Sequence, residues 1–476
     1  TSLTTATIPS SLTTLPDNTF YNCKALTTVS PLCVSSIGKS AFYNTQVETL
    51  TITSSTVTTL GSALSGMLVY VPQALYSDYL TADVWNTFSE NILPIGCTTN
   101  YDLTLQASPS SSSLLNAIGE GNAKTAVDLK ITGNINSYDI VVIRNKMPNL
   151  RILDISAATI ASSTHEYYQG YTTEDNVVGK YMFSGLSSLK EVKLPTTTEA
   201  ISQYAFYNCS RLCGVTIGGH PQTVGAYAFY GCSKLASIAL PEGIEEIGNS
   251  AFASSGLTTV TLPSTLKVIG QQAFYLCKIA QLTLPQSVLS IGASAFYGNT
   301  ALTAITIPSA VRSIGDRAFS TCTNLKTYYS NTIEPVKVTS NTFSNYSTAR
   351  LYVPTQSYDL YSLNAEWSKF ASINRFTQAC RYFYLNGDYE LSGLRISGIP
   401  DADIYEQASL TVAGNATQML GNVCLHSTGT KMPSIGTFSE CLLMPTYPTS
   451  KPPVFLSYVI TMLTSEHTTA AADGQT

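Results

Sequence analysis

Apolar residues along this chain fall into a short block that recurs every 22 to 24 residues. Within a block, a Leu is followed by two alternating apolar residues and then Pro. Leu257-Thr-Thr-Val260-Thr-Leu262-Pro263 and Leu302-Thr-Ala-Ile305-Thr-Ile307-Pro308 are examples. Next comes Ile-Gly or a close variant, as at Val224-Gly225, Ile247-Gly248, Ile269-Gly270, Ile291-Gly292 and Ile314-Gly315. Ala-Phe, or a variant of it, closes the block, with Phe at 183, 206, 229, 252, 274, 296, 319 and 343. The same unit opens the chain, where Phe20 and Phe42 flank Ile37-Gly38. The alternating stretch predicts a short strand with its apolar side inward. Pro ends that strand, because it cannot donate to the ladder. Gly is expected at a tight turn with positive φ. Phe is expected to fill the space between the strand and the return path. One unit cannot bury its own apolar side, so neighbours must stack. Each unit brings about four large apolar side chains, each worth ~1.5–3 kcal/mol when buried. The strands must then run parallel, offset by ~4.8 Å.

The unit L-x-x-V/I-x-L/I-P-x-x-V-x-x-I-G-x-x-A-F-x-x-C resembles the BspA-like, or Treponema-type, leucine-rich repeats. The resemblance covers roughly residues 1–66 and 181–345. It implies an α/β-type repeat solenoid of short parallel strands and ~23-residue units with capping segments. It also implies a secreted or surface protein of the kind known from anaerobic gut and oral bacteria, associated with adhesion and protein binding.

Two segments outside the repeat align with each other without gaps. Val69-Tyr70-Val71-Pro72 precedes Tyr76, Tyr79, Trp85 and Phe88, and Leu351-Tyr352-Val353-Pro354 precedes Tyr358, Tyr361, Trp367 and Phe370. Each Trp lies 13 residues after its Pro, and the chain has no other Trp. A strand followed by an aromatic, helical stretch is what an array needs to hide its last open face. The expected division follows. Residues 1–96 are the C-terminal part of a first array, with its closing cap at 67–96. Residues 181–376 are a second array, closed by 349–376. Cys97 to Asn100 reads as a short polar linker. Residues 101–180 read as an N-terminal cap subdomain. In it, Leu103-Thr-Leu105 and Asp128 to Ile131 are strand-like, and Ser112 to Ile118 and Tyr138 to Lys146 helical, with Ser137 as an N-cap. Leu150, Leu153 and Ile155 already keep the repeat spacing, and Ser162 to Asn176 reads as an exposed polar loop. Residues 377–476 read as a small β-rich domain, with alternation at Ser409 to Ala413 and a disordered tail from Thr464. The chain begins in mid-array, so further repeats or a cap are expected upstream, beyond a signal peptide that is removed.

Composition narrows the function. Only 12% of the 476 residues are charged, with a net charge of −5, which leaves no electrostatic footprint for nucleic acid. Ser and Thr number 117, but 44% hydrophobic and 10% aromatic content excludes a disordered or mucin-like chain. The apolar run Pro453 to Leu463 is too short for a membrane span. Eleven cysteines are an odd count, and Cys23, Cys209, Cys232, Cys277 and Cys322 all sit three residues after the repeat Phe. They read as a buried ladder rather than a disulfide framework.

Tests for chemistry return no catalytic, cofactor or metal set. His165, His220, His426 and His467 lack the i, i+4 spacing of a zinc helix. Cys209 and Cys213 have no second pair. Gly38-Lys39-Ser40 resembles the end of a P-loop, but the upstream Gly is replaced by Cys33. Asp401, Asp403 and Glu406 form only part of a calcium loop. Two surface stripes remain. Strand positions pointing outward are Glu191/Lys193, Gly214/Thr216, Ser237/Ala239, Thr259/Thr261, Gln281/Thr283, Ala304/Thr306 and Thr327/Tyr329. They form either a docking ribbon or a solvated face of good β-formers. Tyr21, Tyr43, Tyr207, Tyr230, Tyr275 and Tyr297 follow the repeat Phe and read as packing residues, with glycan or protein contact as the alternative. The expected function is a non-catalytic, extracellular or cell-surface protein that binds a host or neighbouring-cell surface protein or glycan. The alternatives are arrays that target a small enzymatic domain at 377–476, and a structural surface-layer protein.

Overall fold

Each repeat folds as one coil carrying two short strands. The leading strand is the alternating stretch, and the second strand ends at the residue before the repeat Gly. A computed structural model describes residues 2–64 and 66–376, together with the strands Arg381–Leu385, Met419–Leu420, Val423–Ser427 and Leu442–Met444. In the later repeats the second strands form one parallel ladder of seven, from Val177–Val178 to Ser313–Ile314. In the first repeats Thr14–Leu15, Ser36–Ile37 and Thr59–Leu60 do the same. Within the core of buried Leu, Ile and Val, one Phe from each coil stands in a single file. Phe183 through Phe319 are fully buried, and successive rings from Phe206 to Phe319 stack at 5.1–5.3 Å. A parallel solenoid of short-stranded repeats is therefore the fold.

The turn around each Phe corrects one expectation. The Gly of Ile-Gly is not the residue with positive φ. That conformation falls two residues before the Phe, at Tyr204 (60°), Tyr227 (57°), Ser250 (55°) and Gln272 (56°), and again two residues after it, at Asn208 (58°), Ser254 (56°) and Gly231 (72°). A left-handed non-glycine residue costs roughly 1–2 kcal/mol. The return is a third ladder. The N–H groups of Tyr204, Phe206 and Asn208 donate to the carbonyls of Ala226, Ala228 and Tyr230 in the next coil, at 2.9, 2.7 and 2.8 Å. The intervening N–H groups of Tyr207 and Cys209 donate back within the coil, to Tyr204 and Phe206. Left-handed residues two before and two after the Phe thus bracket a turn in which every second N–H points along the stacking axis. The repeat Gly is needed for a different reason, which is close approach. A Cβ on Gly270 would lie 2.7 Å from the Gly248 carbonyl carbon, and one on Gly292 would lie 2.5 Å from the Gln271 nitrogen.

The two aromatic segments close their arrays in the same way. Trp85 donates from Nε1 to the Thr58 carbonyl at 2.7 Å, and Trp367 donates to the Val336 carbonyl at 2.8 Å. Tyr79 meets Thr58, and Tyr361 meets Ser330 and Thr332, through buried hydroxyls. Each ring thereby answers backbone or hydroxyl groups that have no further coil to meet.

Residues 100–160 supply three longer strands, Asn100–Leu105, Asp128–Ile135 and Ile152–Ile160, in one parallel five-stranded sheet with Glu191–Lys193 and Gly214–Thr216. The helix Ser137–Lys146 is capped by Asn136, not Ser137. Ser137 lies inside the helix and exchanges buried hydrogen bonds with Thr173. Asp139 completes the cap and also accepts from Ser112 Oγ (2.8 Å) and the Leu114 N–H (2.9 Å), tying two helix starts together. The Ser162 to Asn176 segment is not simply an exposed loop. Glu166–Tyr168 and Tyr171–Thr172 pair as an antiparallel hairpin, and Tyr167 is buried with its hydroxyl on the Lys180 carbonyl at 2.6 Å. Its polar composition concealed one inward tyrosine and one inward threonine. The first repeats contact the later ones through Glu48, which pairs with Lys190 and Arg151, while Asn149 donates to the Glu90 carbonyl at 2.6 Å.

Contacts divide the chain into two compact units. One comprises Thr1–Val353 with Asp359–Asn374, and the other Pro354–Tyr358 with Arg375–Thr476. Within the second unit the four strands described beyond 380 form one sheet. The Ser409 to Ala413 stretch and the tail from Thr464 lie outside the described residues.

Close approach at the repeat Gly predicts the cost of adding one methyl. Gly270→Ala should destabilise the chain by about 1–3 kcal/mol, since backbone rather than a movable side chain opposes the new Cβ. Gly121→Ala, in an exposed helix with nothing within 4 Å, should be neutral or stabilising. Urea midpoints of the two variants decide this, and equal midpoints would contradict it.

Candidate functional site

The outward residues of the leading strands follow from strand alternation. Val192, Ile238 and Ile305 point into the core, so the residues on either side of each point out. Glu191, Lys193, Thr216, Thr259, Thr261, Gln281, Thr283 and Thr306 are exposed, and Thr327 is half-buried. Tyr329 is exposed and stacks on Tyr352 at 4.9 Å. Register places Glu191 beside Gly214 and Lys193 beside Thr216. It places Ser237 and Ala239 beside Thr259 and Thr261, and Thr306 beside Tyr329.

The stripe is not one uninterrupted ladder. Leading strands pair as a sheet ending at Gly214–Thr216, a two-stranded sheet of Ser237–Ala239 with Thr259–Thr261, and a sheet that begins at Ala304–Ile307. Gln281 and Thr283 lie in a coil with no assigned leading strand. At these breaks the inward residues Val215, Val260 and Leu282 are only half-buried. Packing presses those strands less firmly against their neighbours, and the second-strand and Phe-turn ladders carry the register there.

The face also extends further than the stripe suggested. Asp102, Lys130, Asp154, Lys193 and Thr216 stand in one row across five strands. Lys130 pairs with Asp102 at 2.7 Å and Lys193 with Asp154 at 2.8 Å. Burial pushes the Asp154 carboxyl up, but hydrogen bonds from Lys193 and Ser156 outweigh it, and the group titrates below the usual range. Exposed pairs of this kind contribute ~0–1 kcal/mol each, so their effect is to order the lysine ends. The spacing of Leu150, Leu153 and Ile155 already placed Asp154 at an outward position. Its partner across the strands was not visible without the register.

Two shallow grooves open on this face. One, of about 320 Å³, lies over Asn100, Asp102, Asp128, Lys130 and Asp154. The other, of about 250 Å³, is centred on Gly214 and walled by Glu191, Lys193, Thr216, Ser237 and Ala239. Gly214 adds no side chain to it, and a Cβ there would meet only the flexible Glu191 side chain, with Cγ at 3.0 Å. Six of the outward residues singled out from sequence, Glu191, Lys193, Gly214, Thr216, Ser237 and Ala239, therefore line one concavity.

Other sequence candidates resolve into structural positions. The Lys39 amide donates to Asp17 Oδ1 at 2.6 Å, and a Cβ on Gly38 would lie 2.3 Å from the Asp17 nitrogen, so this turn has no cradle for a phosphate. His165 stacks on Tyr138 at 3.9 Å, and His220 is exposed. Asp401, Asp403, Glu406, His467 and the side chain of His426 lie outside the described residues. Among the described residues no group of three or more His, Cys, Asp and Glu is placed to hold a metal ion, and no helix is long and apolar enough to cross a membrane.

The cysteine ladder is more than packing. Cys209, Cys232, Cys277 and Cys322 direct their thiols at the carbonyls of Phe183, Phe206, Phe252 and Phe296, at 3.0–3.3 Å. Where the repeat has Asn299 instead, its amide donates to the Phe274 carbonyl at 2.8 Å. Burial pushes the thiols of Cys209 and Cys322 up to about 12 and that of Cys277 up to about 11. The thiolate is the reactive form. Iodoacetamide at pH 8 should therefore label the exposed Cys33 and Cys213 in the native chain, and Cys209, Cys232, Cys277 and Cys322 only after unfolding. Peptide-level mass spectrometry checks this, and comparable native labelling of all six would contradict it.

Comparison with known proteins agrees with the repeat. A family model described as "BspA type Leucine rich repeat region" matches in six copies, over residues 1–65, 171–279 and 267–374. No curated protein matches the chain significantly. Among solved structures, a leucine-rich repeat protein from T. pallidum is 30% identical, over 31% of this chain and 71% of that one, with a TM-score of 0.29. One from Bacteroides ovatus is 15% identical, over 80% and 87%, with a TM-score of 0.30. A leucine-rich cell surface protein from Faecalibacterium prausnitzii is 17% identical, over 78% and 88%, with a TM-score of 0.26.

Proposed function

The chain belongs to the BspA-type leucine-rich repeat family, and from that premise we propose that it is a non-catalytic binding protein of the cell surface or extracellular space. Its partner is a protein or glycan on a host or neighbouring cell. The contact surface is the outward face of the leading strands. The observation that carries this reading is the groove over Gly214. A solenoid face of β-formers needs no side-chain gap to fold. Here a concavity centred on a residue without a side chain lies between an ordered charged row and a neutral ribbon of Ser, Ala and Thr. Such a concavity takes one side chain or sugar unit of a partner, while the surrounding flat surface excludes water around it. The half-buried Val215 gives the groove an apolar floor. Lys193, held by Asp154, gives it a fixed cationic rim.

Immobilised extracellular-matrix proteins and glycans, tested by surface plasmon resonance, provide the check. At least one should bind the chain above an unrelated solenoid. Gly214→Gln, which fills the groove against a movable neighbour, should weaken that binding tenfold or more, about 1.4 kcal/mol. Binding to none of the panel, or binding that ignores the substitution, would remove this reading.

A further inference from the structure

A second surface feature among the described residues lies away from the strand face. Seven half-exposed tyrosines form one continuous ring cluster along the Phe turns and the neighbouring hairpin. Tyr181, Tyr204 and Tyr227, each two residues before a repeat Phe, stack at 4.6 and 4.9 Å with planes within 4°. Tyr207 and Tyr230, each one residue after a Phe, stack at 5.2 Å. Tyr204 meets Tyr207, and Tyr227 meets Tyr230, at 5.5 and 5.7 Å, which joins the two columns. Tyr168 and Tyr171 of the hairpin close one end against Tyr181. At the other end the next coil carries Ser250 and Ala253 at the equivalent positions, and the columns stop. Only the column after the Phe was visible as a sequence stripe.

Stacking leaves ring edges and hydroxyls, not ring faces, toward solvent. Among the described residues, none of these seven hydroxyls has a hydrogen-bond partner. Solvent-accessible phenols stacked one coil apart, with ring centroids at 4.6–5.2 Å, suit one reaction above others. We propose that this cluster is a site of oxidative coupling, in which tyrosines one coil apart are joined as dityrosine by a peroxide-derived one-electron oxidant. The atoms balance as follows. Two phenols each lose one electron and one proton to become phenoxyl radicals. The radicals join in one carbon–carbon bond between positions ortho to oxygen, and a hydrogen on each joined carbon then moves to its oxygen. The pair has lost two hydrogens, and one hydrogen peroxide, taking two electrons and two protons, becomes two waters. Because each ring in the two columns has a neighbour one coil away at 4.6–5.2 Å, a radical formed there has a partner that side-chain rotation brings edge to edge. The product would tie adjacent coils of a structure whose stability is otherwise a sum of neighbour contacts. This inference is independent of the groove over Gly214.

The test oxidises the full chain at low concentration with hydrogen peroxide and a haem peroxidase. A second arm uses photo-generated ruthenium(III), which requires only surface access. Linked peptides two hydrogens lighter should join Tyr181 to Tyr204, Tyr204 to Tyr227 and Tyr207 to Tyr230. The chain should stay monomeric, gain dityrosine fluorescence and melt at a higher temperature. Tyr204→Phe keeps the ring and should abolish the first two links while sparing the third. Three outcomes would overturn the proposal: no link in either arm, links mainly between chains or between tyrosines not one coil apart, or an unchanged link pattern in Tyr204→Phe.

Discussion

Every backbone N–H that a coil does not close on itself must find a carbonyl one coil away, and this requirement governs the rest of the structure. It acts along three lines at once: the leading strands, the second strands and the alternating turn around Phe. The turn is the most demanding, because it holds residues such as Tyr204 and Gln272 at positive φ in exchange for bonds to the next coil. Those bonds are possible only at short range. Gly270 and Gly292 permit that range by removing the Cβ that would strike the preceding coil. The Phe stack and the thiol ladder then fill the interior at the spacing the backbone has set. Strain, glycine and ring stack are three consequences of one distance.

A structure built this way has trouble only at its ends and at its interruptions. The ends are handled by inserting a large aromatic donor. Trp85 and Trp367 reach back to carbonyls of the last coils, and Tyr79 and Tyr361 settle the buried hydroxyls beside them. The hairpin within 162–176 is handled by burying Tyr167, whose hydroxyl donates to the Lys180 carbonyl, and by pairing Thr173 with Ser137. Glu48 does similar work between the first and later repeats, where it meets both Lys190 and Arg151.

Since stacking consumes the interior, variation is confined to outward positions, and function must be sought there. The leading strands offer a charged row, a neutral ribbon and the Tyr329–Tyr352 pair in succession. The Phe turns offer tyrosines. Low overall charge and abundant Ser and Thr have a physical place in this arrangement, as the small side chains that tile a flat β-face.

Period, stacking direction, aromatic caps and buried cysteines were all legible in the chain, because stacking is translational. What one coil does at a position its neighbour repeats, so a pattern recurring every 22 to 24 residues reports the core directly. The two Trp segments were legible for the same reason, being two copies of one solution. Tertiary structure decided what does not repeat or what geometry reassigns. The repeat Gly serves approach rather than positive φ, and this depends on how near the next backbone comes. Asp154 finds Lys193, and Glu48 finds Lys190, only across strands and between distant segments. The leading ladder breaks where Val215, Val260 and Leu282 are incompletely buried, which no local pattern records. Periodicity specifies which residues face inward. The distances between coils settle which outward residues meet, and therefore where a site can form.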